Sequence, residues 1–169
     1  MKGESRMELQ SQCTATEAVV RKYADMVFRL AFAQVRSKSD ADDIFQEVFL
    51  RYIRRNPSFE SEEHRKAWLI RVTVNCSKKF WSSAWKRKVV LLKVAPLDDC
   101  FSFSLPEENE LDEALRELAP KYRSVVHLFY YEGYSVEQIA KILDQKQSTV
   151  RTQLTRARAQ LYKILKGEV

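Results

Sequence analysis

Glycine and proline are scarce in this 169-residue chain, at three and four residues, and histidine is scarcer still at two. With so few helix breakers among many Leu, Ala, Glu, Lys, Arg and Gln, turn-rich strand architectures lose ground and an all-α fold is expected. The three cysteines, Cys13, Cys76 and Cys100, are odd in number and far apart, and none forms a Cys-x-x-Cys pair. That argues against a disulfide framework and for a reducing cytoplasm. No apolar run approaches the roughly 20 residues of a membrane span, and the first dozen residues lack the apolar segment of a signal peptide. The expectation is a soluble cytoplasmic protein with no direct membrane insertion.

Reactive chemistry is missing as well. There is no Gly-rich phosphate loop and no His-Glu-x-x-His, and His64 and His127 fall in separate parts of the chain. His127 on an apolar helix reads as a packed residue, and Cys76 as a small core residue. A metal-dependent nuclease would have to use Asp40, Asp42, Asp43 and Glu47, of which Asp43 and Glu47 alone share a helix face. The chain is therefore expected to have no catalytic residue, metal, cofactor or small-molecule substrate.

Acid is absent from two stretches. From His64 to Lys88 the only charges are Arg65, Lys66, Arg71, Lys78, Lys79, Lys86, Arg87 and Lys88, apart from the histidine. From Lys146 to Lys166 they are Lys146, Arg151, Arg156, Arg158, Lys163 and Lys166. The formal net charge is only +6, yet these stretches hold 14 of the 29 basic residues and none of the 23 acids. Two separated cationic surfaces suit one extended nucleic acid held at two places.

Apolar spacing divides the chain. After an N-terminal tail over 1–14, Val19, Tyr23, Met26, Val27 and Leu30 predict a helix over about 16–35. Ser39, with Asp42 three residues on, reads as the cap of a second helix burying Ile44, Phe45, Val48, Phe49, Tyr52 and Ile53. Asn56-Pro57-Ser58 ends it. A third helix over about 65–88 would bury Trp68, Leu69, Val72, Cys76 and Phe80 and turn Arg71, Asn75, Lys78 and Ser82 outward. These helices make one bundle over 15–90. A linker over 91–106 follows, with enough apolar residues, Phe101 and Phe103 among them, to pack on something.

The second unit, 107–169, opens with acids suited to a helix N-terminus. Pro120 starts the next helix, which stops at Gly133, and Ser135 with Gln138 forms a capping box. The last helix should bury Val150, Leu154, Ala157, Leu161 and Ile164. That leaves Ser148, Thr149, Thr152, Thr155 and Arg156 on the opposite face, flanked by Arg151 and Arg158. Two short helices around a polar break, the second rich in Arg and short hydroxyls, predict a helix-turn-helix that reads a DNA groove. An autonomous helix-turn-helix regulator is one such reading, although nothing looks like a dimerisation helix.

The residues also carry a family resemblance. Tyr134-Ser-Val-Glu-Gln-Ile-Ala, Thr149-Val-Arg and Arg156-Ala-Arg resemble the promoter-reading C-terminal domain of bacterial extracytoplasmic-function (ECF) sigma factors. Asp40-Ala-Asp-Asp-Ile-Phe-Gln-Glu-Val-Phe-Leu resembles that family's polymerase-binding helix, and Trp68-Leu-Ile-Arg-Val with Asn75 its promoter-melting helix. The three motifs stand in family order between about Tyr23 and Leu165.

The resemblance implies that Asp43, Gln46, Glu47 and Leu50 contact core RNA polymerase. It implies that Phe59, Arg71, Asn75, Lys78 and Lys79 engage the minus-ten promoter element, with a flipped base held in the 56–64 loop. It also implies that Ser148, Thr149, Arg151, Thr152, Thr155, Arg156 and Arg158 read the minus-thirty-five element, and that an anti-sigma factor is a further partner. Trp81 and Trp85, interleaved with Lys78 and Lys79, suit single-stranded DNA, with core packing as the even alternative. The turn departs from the family, with Gln145 and Lys146 where a small apolar residue and a capping Ser are usual. Glu60, Glu62 and Glu63 make the base-pocket loop acidic, for which the sequence offers no physical reason.

Overall fold

The structure, a computed structural model, describes residues 2–81, 103 and 109–167. Seven α-helices are described: α1 (Lys2–Val35), α2 (Lys38–Arg55), α3 (Glu62–Phe80), α4 (Glu110–Glu117), α5 (Pro120–Val126), α6 (Val136–Leu143) and α7 (Gln147–Leu165). A π-helical turn, His127–Tyr131, continues α5. No strand occurs among the described residues. The linker expected over 91–106 and the helical stretch expected beyond Phe80 lie outside them, apart from Trp81 and Phe103.

α1, α2 and α3 form the N-terminal bundle, with Val27, Leu30, Ala31, Ile44, Val48, Leu69 and Cys76 fully buried between them. Burial pushes the Cys76 thiol up to about 11. α1 begins at Lys2, so residues 2–14 of the expected tail are helical. Its core face starts only at Val19, and Cys13, Thr14, Ala15 and Glu17 are exposed. The periodicity marked where packing starts, whereas the helix itself continues back through helix-forming residues.

Ser37, not Ser39, caps α2, its hydroxyl accepting from the Asp40 amide at 3.4 Å. Both serines have an acid three residues on. The difference comes from the preceding turn, where Arg36 at φ 56° reverses the chain and leaves Ser37 extended, as a cap requires. Asn56 ends the helix in the left-handed region at φ 39°, its amide bonded to the Tyr52 carbonyl at 3.0 Å. Ile53 was expected inside but is 54% exposed. At 100° per residue it lies about 110° from the centre of the stripe made by Ile44, Phe45, Val48, Phe49 and Tyr52.

α3 starts at Glu62, earlier than expected, because Ser61 caps it by accepting from the His64 amide at 3.1 Å. This accounts for two of the three acids of the loop, Glu62 and Glu63, and leaves Glu60 without a structural explanation. Glu62 and Glu63 occupy the first turn, where the helix dipole favours negative charge. Glu62 also accepts from Lys22 Nζ and Tyr23 Oη, each at 2.7 Å, tying α3 to α1. Those bonds hold its carboxyl down at about 2, and burial beside it pushes the Tyr23 phenol up to about 12. The buried hydroxyls of Thr73 and Ser77 are satisfied within the helix, donating to the Leu69 and Thr73 carbonyls at 2.8 Å.

In the C-terminal unit Asn109 caps α4 and Pro120 opens α5, as their residue types favour. Gly133 at φ 70° turns the chain toward α6. The capping box is complete: Ser135 Oγ accepts from the Gln138 amide at 3.2 Å, and Gln138 Oε1 accepts from the Ser135 amide at 2.9 Å. Asp144, left-handed at φ 53°, ends α6. Val150, Leu154 and Ala157 anchor α7, whereas Leu161 and Ile164 are only partly buried. His127 is buried and stacks on Tyr131.

The two units pack on each other. Arg123 of α5, itself buried, donates to the Leu118 carbonyl at 2.8 Å and to the Gln34 carbonyl at the end of α1. It thereby meets two helix C-termini, whose dipoles favour a cation. Arg36 pairs with Asp112 at 2.9 Å. The ring of Phe103 lies parallel to that of Phe28 with centroids 4.0 Å apart and meets Phe45 edge-on. At this one residue, the linker's apolar content packs on the N-terminal bundle.

Candidate polymerase and nucleic-acid interfaces

The buried stripe of α2 fixes what its other side presents. Asp43, Gln46, Glu47 and Leu50, at i, i+3, i+4 and i+7, share one partly buried face. Glu47 accepts from Arg51 Nε at 2.6 Å, so its carboxylate is held in a helix pair. Nearby, burial raises the Asp42 carboxyl, against the opposing charge of Lys38. Exposed Ile53 flanks this face one turn beyond Leu50, adding apolar surface that the apolar spacing had placed in the core.

α3 is buried on two sides, through Leu69, Val72, Cys76 and Phe80 and through Ile70, Val74 and Ser77. What remains outside is a narrow stripe of Arg71, Asn75, Lys78 and Lys79, all exposed. The stripe gathers four of the five expected minus-ten residues. Arg71 reaches across to the C-terminal unit, its Nε donating to the Ile142 carbonyl at 2.7 Å and its Nη2 to the Lys141 carbonyl at 2.8 Å.

Phe59 is set apart from that stripe, partly buried in an aromatic cluster. It lies parallel to Tyr52 at 6.3 Å and edge-on to Trp68 and His64, with the Arg65 guanidinium 5.5 Å from its centroid. Trp81 is 47% exposed, meeting Phe80 edge-on and Arg123 at 5.8 Å, so neither simple core packing nor a free aromatic describes it. Trp85 lies outside the described residues.

α7 has a single buried stripe, and Ser148, Thr149, Arg151, Thr152, Thr155, Arg156 and Arg158 are all exposed. No side chain caps its first turn, consistent with Lys146 in place of a capping Ser. Arg158 stands to one side, its Nε donating to Tyr130 Oη at 2.7 Å and its guanidinium lying 5.7 Å from the Phe129 and Tyr130 centroids. On the other flank, Lys121 and Tyr122 of α5 line a polar groove with Ser148, Thr149, Thr152 and Arg156. Lys121 carried no signal in the sequence, because only the packing of α5 against α7 brings it there.

Two exposed cationic stripes lie on helices of different units, the second within a helix-turn-helix, and together they define an all-helical protein of two units. Residues 19–87 match the family model Sigma-70 region 2, and residues 108–161 match Sigma-70, region 4. The chain is 33% identical to the RNA polymerase sigma-E factor of Streptomyces coelicolor over 147 residues, covering 86% of this chain and 82% of that protein. It is 31% identical to the ECF RNA polymerase sigma factor SigE of Mycolicibacterium smegmatis, covering 90% of this chain but spanning only 62% of that longer relative. The chain belongs to the extracytoplasmic-function RNA polymerase sigma factors.

Solved structures agree on the fold. The sigma factor RpoE of Bartonella quintana, in complex with the anti-sigma factor NepR, superposes with a TM-score of 0.65 at 23% identity, covering 89% of this chain and 96% of that one. CnrH, in complex with the cytosolic domain of CnrY, gives 0.64 at 20% identity, covering 92% and 90%. No described helix is long and apolar enough to cross a membrane.

Proposed function

We propose that this chain acts in the cytoplasm as an initiation factor of bacterial RNA polymerase, without catalytic chemistry of its own. Asp43, Gln46, Glu47 and Leu50, flanked by Ile53, dock on core polymerase, with carboxylate and amide groups for basic partner residues around an apolar contact. Arg71, Asn75, Lys78 and Lys79 engage and open the minus-ten element, where Phe59 walls the pocket for an extruded base. Ser148, Thr149, Arg151, Thr152, Thr155 and Arg156 read the minus-thirty-five element, with Arg158 and Lys121 gripping phosphates on either side.

The observation that carries this reading is the exposure of both cationic stripes, one in each family region and in family order. Because each unit is small, tight promoter binding depends on polymerase, which fixes the spacing of the two and raises their effective concentration. Both structural neighbours are held by a second protein, an anti-sigma factor in the case of RpoE, and a partner of that kind is proposed here too. The test is binding to purified core polymerase by the wild type and by an Asp43→Lys, Glu47→Lys double variant. Tight binding, lost in the variant with helicity intact, supports the reading. A folded wild type that does not bind core overturns it in favour of an autonomous regulator.

A further inference from the structure

A cavity of about 380 Å³ opens between the C-terminal part of α1 and the α4–α5 segment, and none of its lining residues belongs to the proposed polymerase or promoter faces. Its size lies within the range of about 300–1,000 Å³ common to small-molecule sites. The walls are largely apolar. Phe28 and Phe32 supply them from α1, Leu115 and Val126 from the C-terminal unit, and the Phe28 ring is fixed by Phe103 stacked parallel to it at 4.0 Å.

Positive charge is set into these walls without balance. Arg36 and Arg123 both line the cavity, the Arg36 side chain 10% exposed and Arg123 8% exposed. Asp112 is the one acid among the described lining residues, and it already accepts from Arg36 Nη2 at 2.9 Å. Arg123 is engaged by carbonyls, those of Leu118 and Gln34, which carry no formal charge. Burial, and then the neighbouring charge of Arg36, hold its guanidinium below the ordinary arginine range.

Two enclosed polar atoms of the lining have no hydrogen-bond partner among the described residues. One is Arg36 Nε; the other is His127 Nε2, which stands 3.7 Å from Glu132 Oε1. Buried polar atoms without partners are uncommon, and each calls for a group to meet it. Arg29, also lining the cavity, is exposed and paired with Asp25 at 2.8 Å, so it answers neither.

We propose that this cavity binds a small aromatic monocarboxylate, its carboxylate meeting Arg36 Nε and its ring lying among Phe28, Phe32, Leu115 and Val126. A neutral apolar guest would leave the excess of guanidinium charge unanswered. A nucleotide or polyphosphate carries more charge than one free guanidinium edge neutralises, and its sugar would bury hydroxyls against apolar walls. A single carboxylate accepts from Nε in a short, charge-assisted bond, and the phenyl rings offer stacking partners to its aromatic body. His127 Nε2, when it carries the ring proton, is a second donor in the same cavity. The site uses no residue of the promoter or polymerase roles and stands or falls without them.

The test is isothermal titration of the full-length chain, without DNA or polymerase, with 2-naphthoate as the probe. The wild type should bind one equivalent with a Kd below about 1 mM, and the neutral 2-naphthamide should bind about tenfold more weakly or worse. Inorganic phosphate should not compete. Arg36→Gln should weaken naphthoate binding by about tenfold or more. Ala33→Leu, which adds bulk to the cavity wall without removing a polar group, should abolish it. Arg54→Gln, the loss of an exposed arginine on α2, should bind as the wild type does. Circular dichroism verifies folding, and Ala33→Leu carries the test if Arg36→Gln does not fold.

No saturable binding by the folded wild type overturns the site, as does naphthoate binding unchanged in Ala33→Leu. Equal affinity for naphthoate and naphthamide overturns the carboxylate's part in it. Displacement of naphthoate by phosphate overturns the ligand class in favour of a general anion site.

Discussion

α3 and α7 are the two proposed DNA-reading helices, each 19 residues long, and they are built on opposite plans. α3 is buried on two sides and shows the solvent one cationic stripe, while α7 rests on one stripe of Val150, Leu154 and Ala157 with Leu161 partly buried beyond them, and leaves most of its circumference open. A strand-opening helix has to stay rigid against the load of unstacking bases, and burial on two faces supplies that. A groove-reading helix must enter DNA, so it can be held by one side only. The same contrast governs how each responds to change.

The largest effect should follow from hollowing the core behind α3. Leu69 is fully buried, and Leu69→Ala should cost about 2–5 kcal/mol, read as a fall in the urea midpoint. Arg156→Ala, on the open face of α7, should leave that midpoint unchanged. It should weaken promoter binding by the assembled polymerase by about 1–3 kcal/mol if Arg156 grips a base edge. Equal stability losses in the two variants would erase the distinction between the helices.

A cap separates the units more finely. Ser135→Ala removes one side of the box that starts α6 and should cost about 1 kcal/mol, seen by hydrogen exchange first in α6 and α7. On the charge side, Lys78→Ala with Lys79→Ala should lower the salt slope of single-strand binding by about 1.4 at about 0.7 per phosphate contact. Lys121→Ala should do the same for duplex by about 0.9 and leave single-strand binding alone.

The smallest effect concerns Glu62. Its carboxyl is held at about 2, below the usual 4.5, so its contribution is present above pH 4.5 and is lost as pH falls from there toward 2. Glu62→Gln should flatten the dependence of stability on pH across that window, with a modest change because the ion pairs are exposed to solvent.

The same architectural contrast explains what could be read from the chain. α7 has one apolar stripe and an acid-free opposite face, so periodicity located its core contacts and the exposure of every expected groove residue. α3 buries Ile70, Val74 and Ser77 as well as Leu69, Val72 and Cys76, which blurs its period. Its outer stripe was legible chiefly through charge. Local capping chemistry was legible at Ser135, but it favoured the wrong serine at α2, where a backbone reversal at Arg36 decides the matter. Contacts between distant segments were legible only as an apolar linker that had to pack somewhere, without its partners. Nothing in the neighbourhood of Arg71, Lys121 or Phe103 announces their partners on the other unit or helix.

The burial of Cys76 has a use of its own. A thiol pushed up to about 11 and fully enclosed is almost never a thiolate, the form that reacts, at neutral pH. Cys13, exposed on α1 ahead of its packed face, meets reagent immediately. The lag between the two is therefore a built-in clock. It times how often the N-terminal bundle breathes open, and it slows whenever a partner clamps that bundle shut.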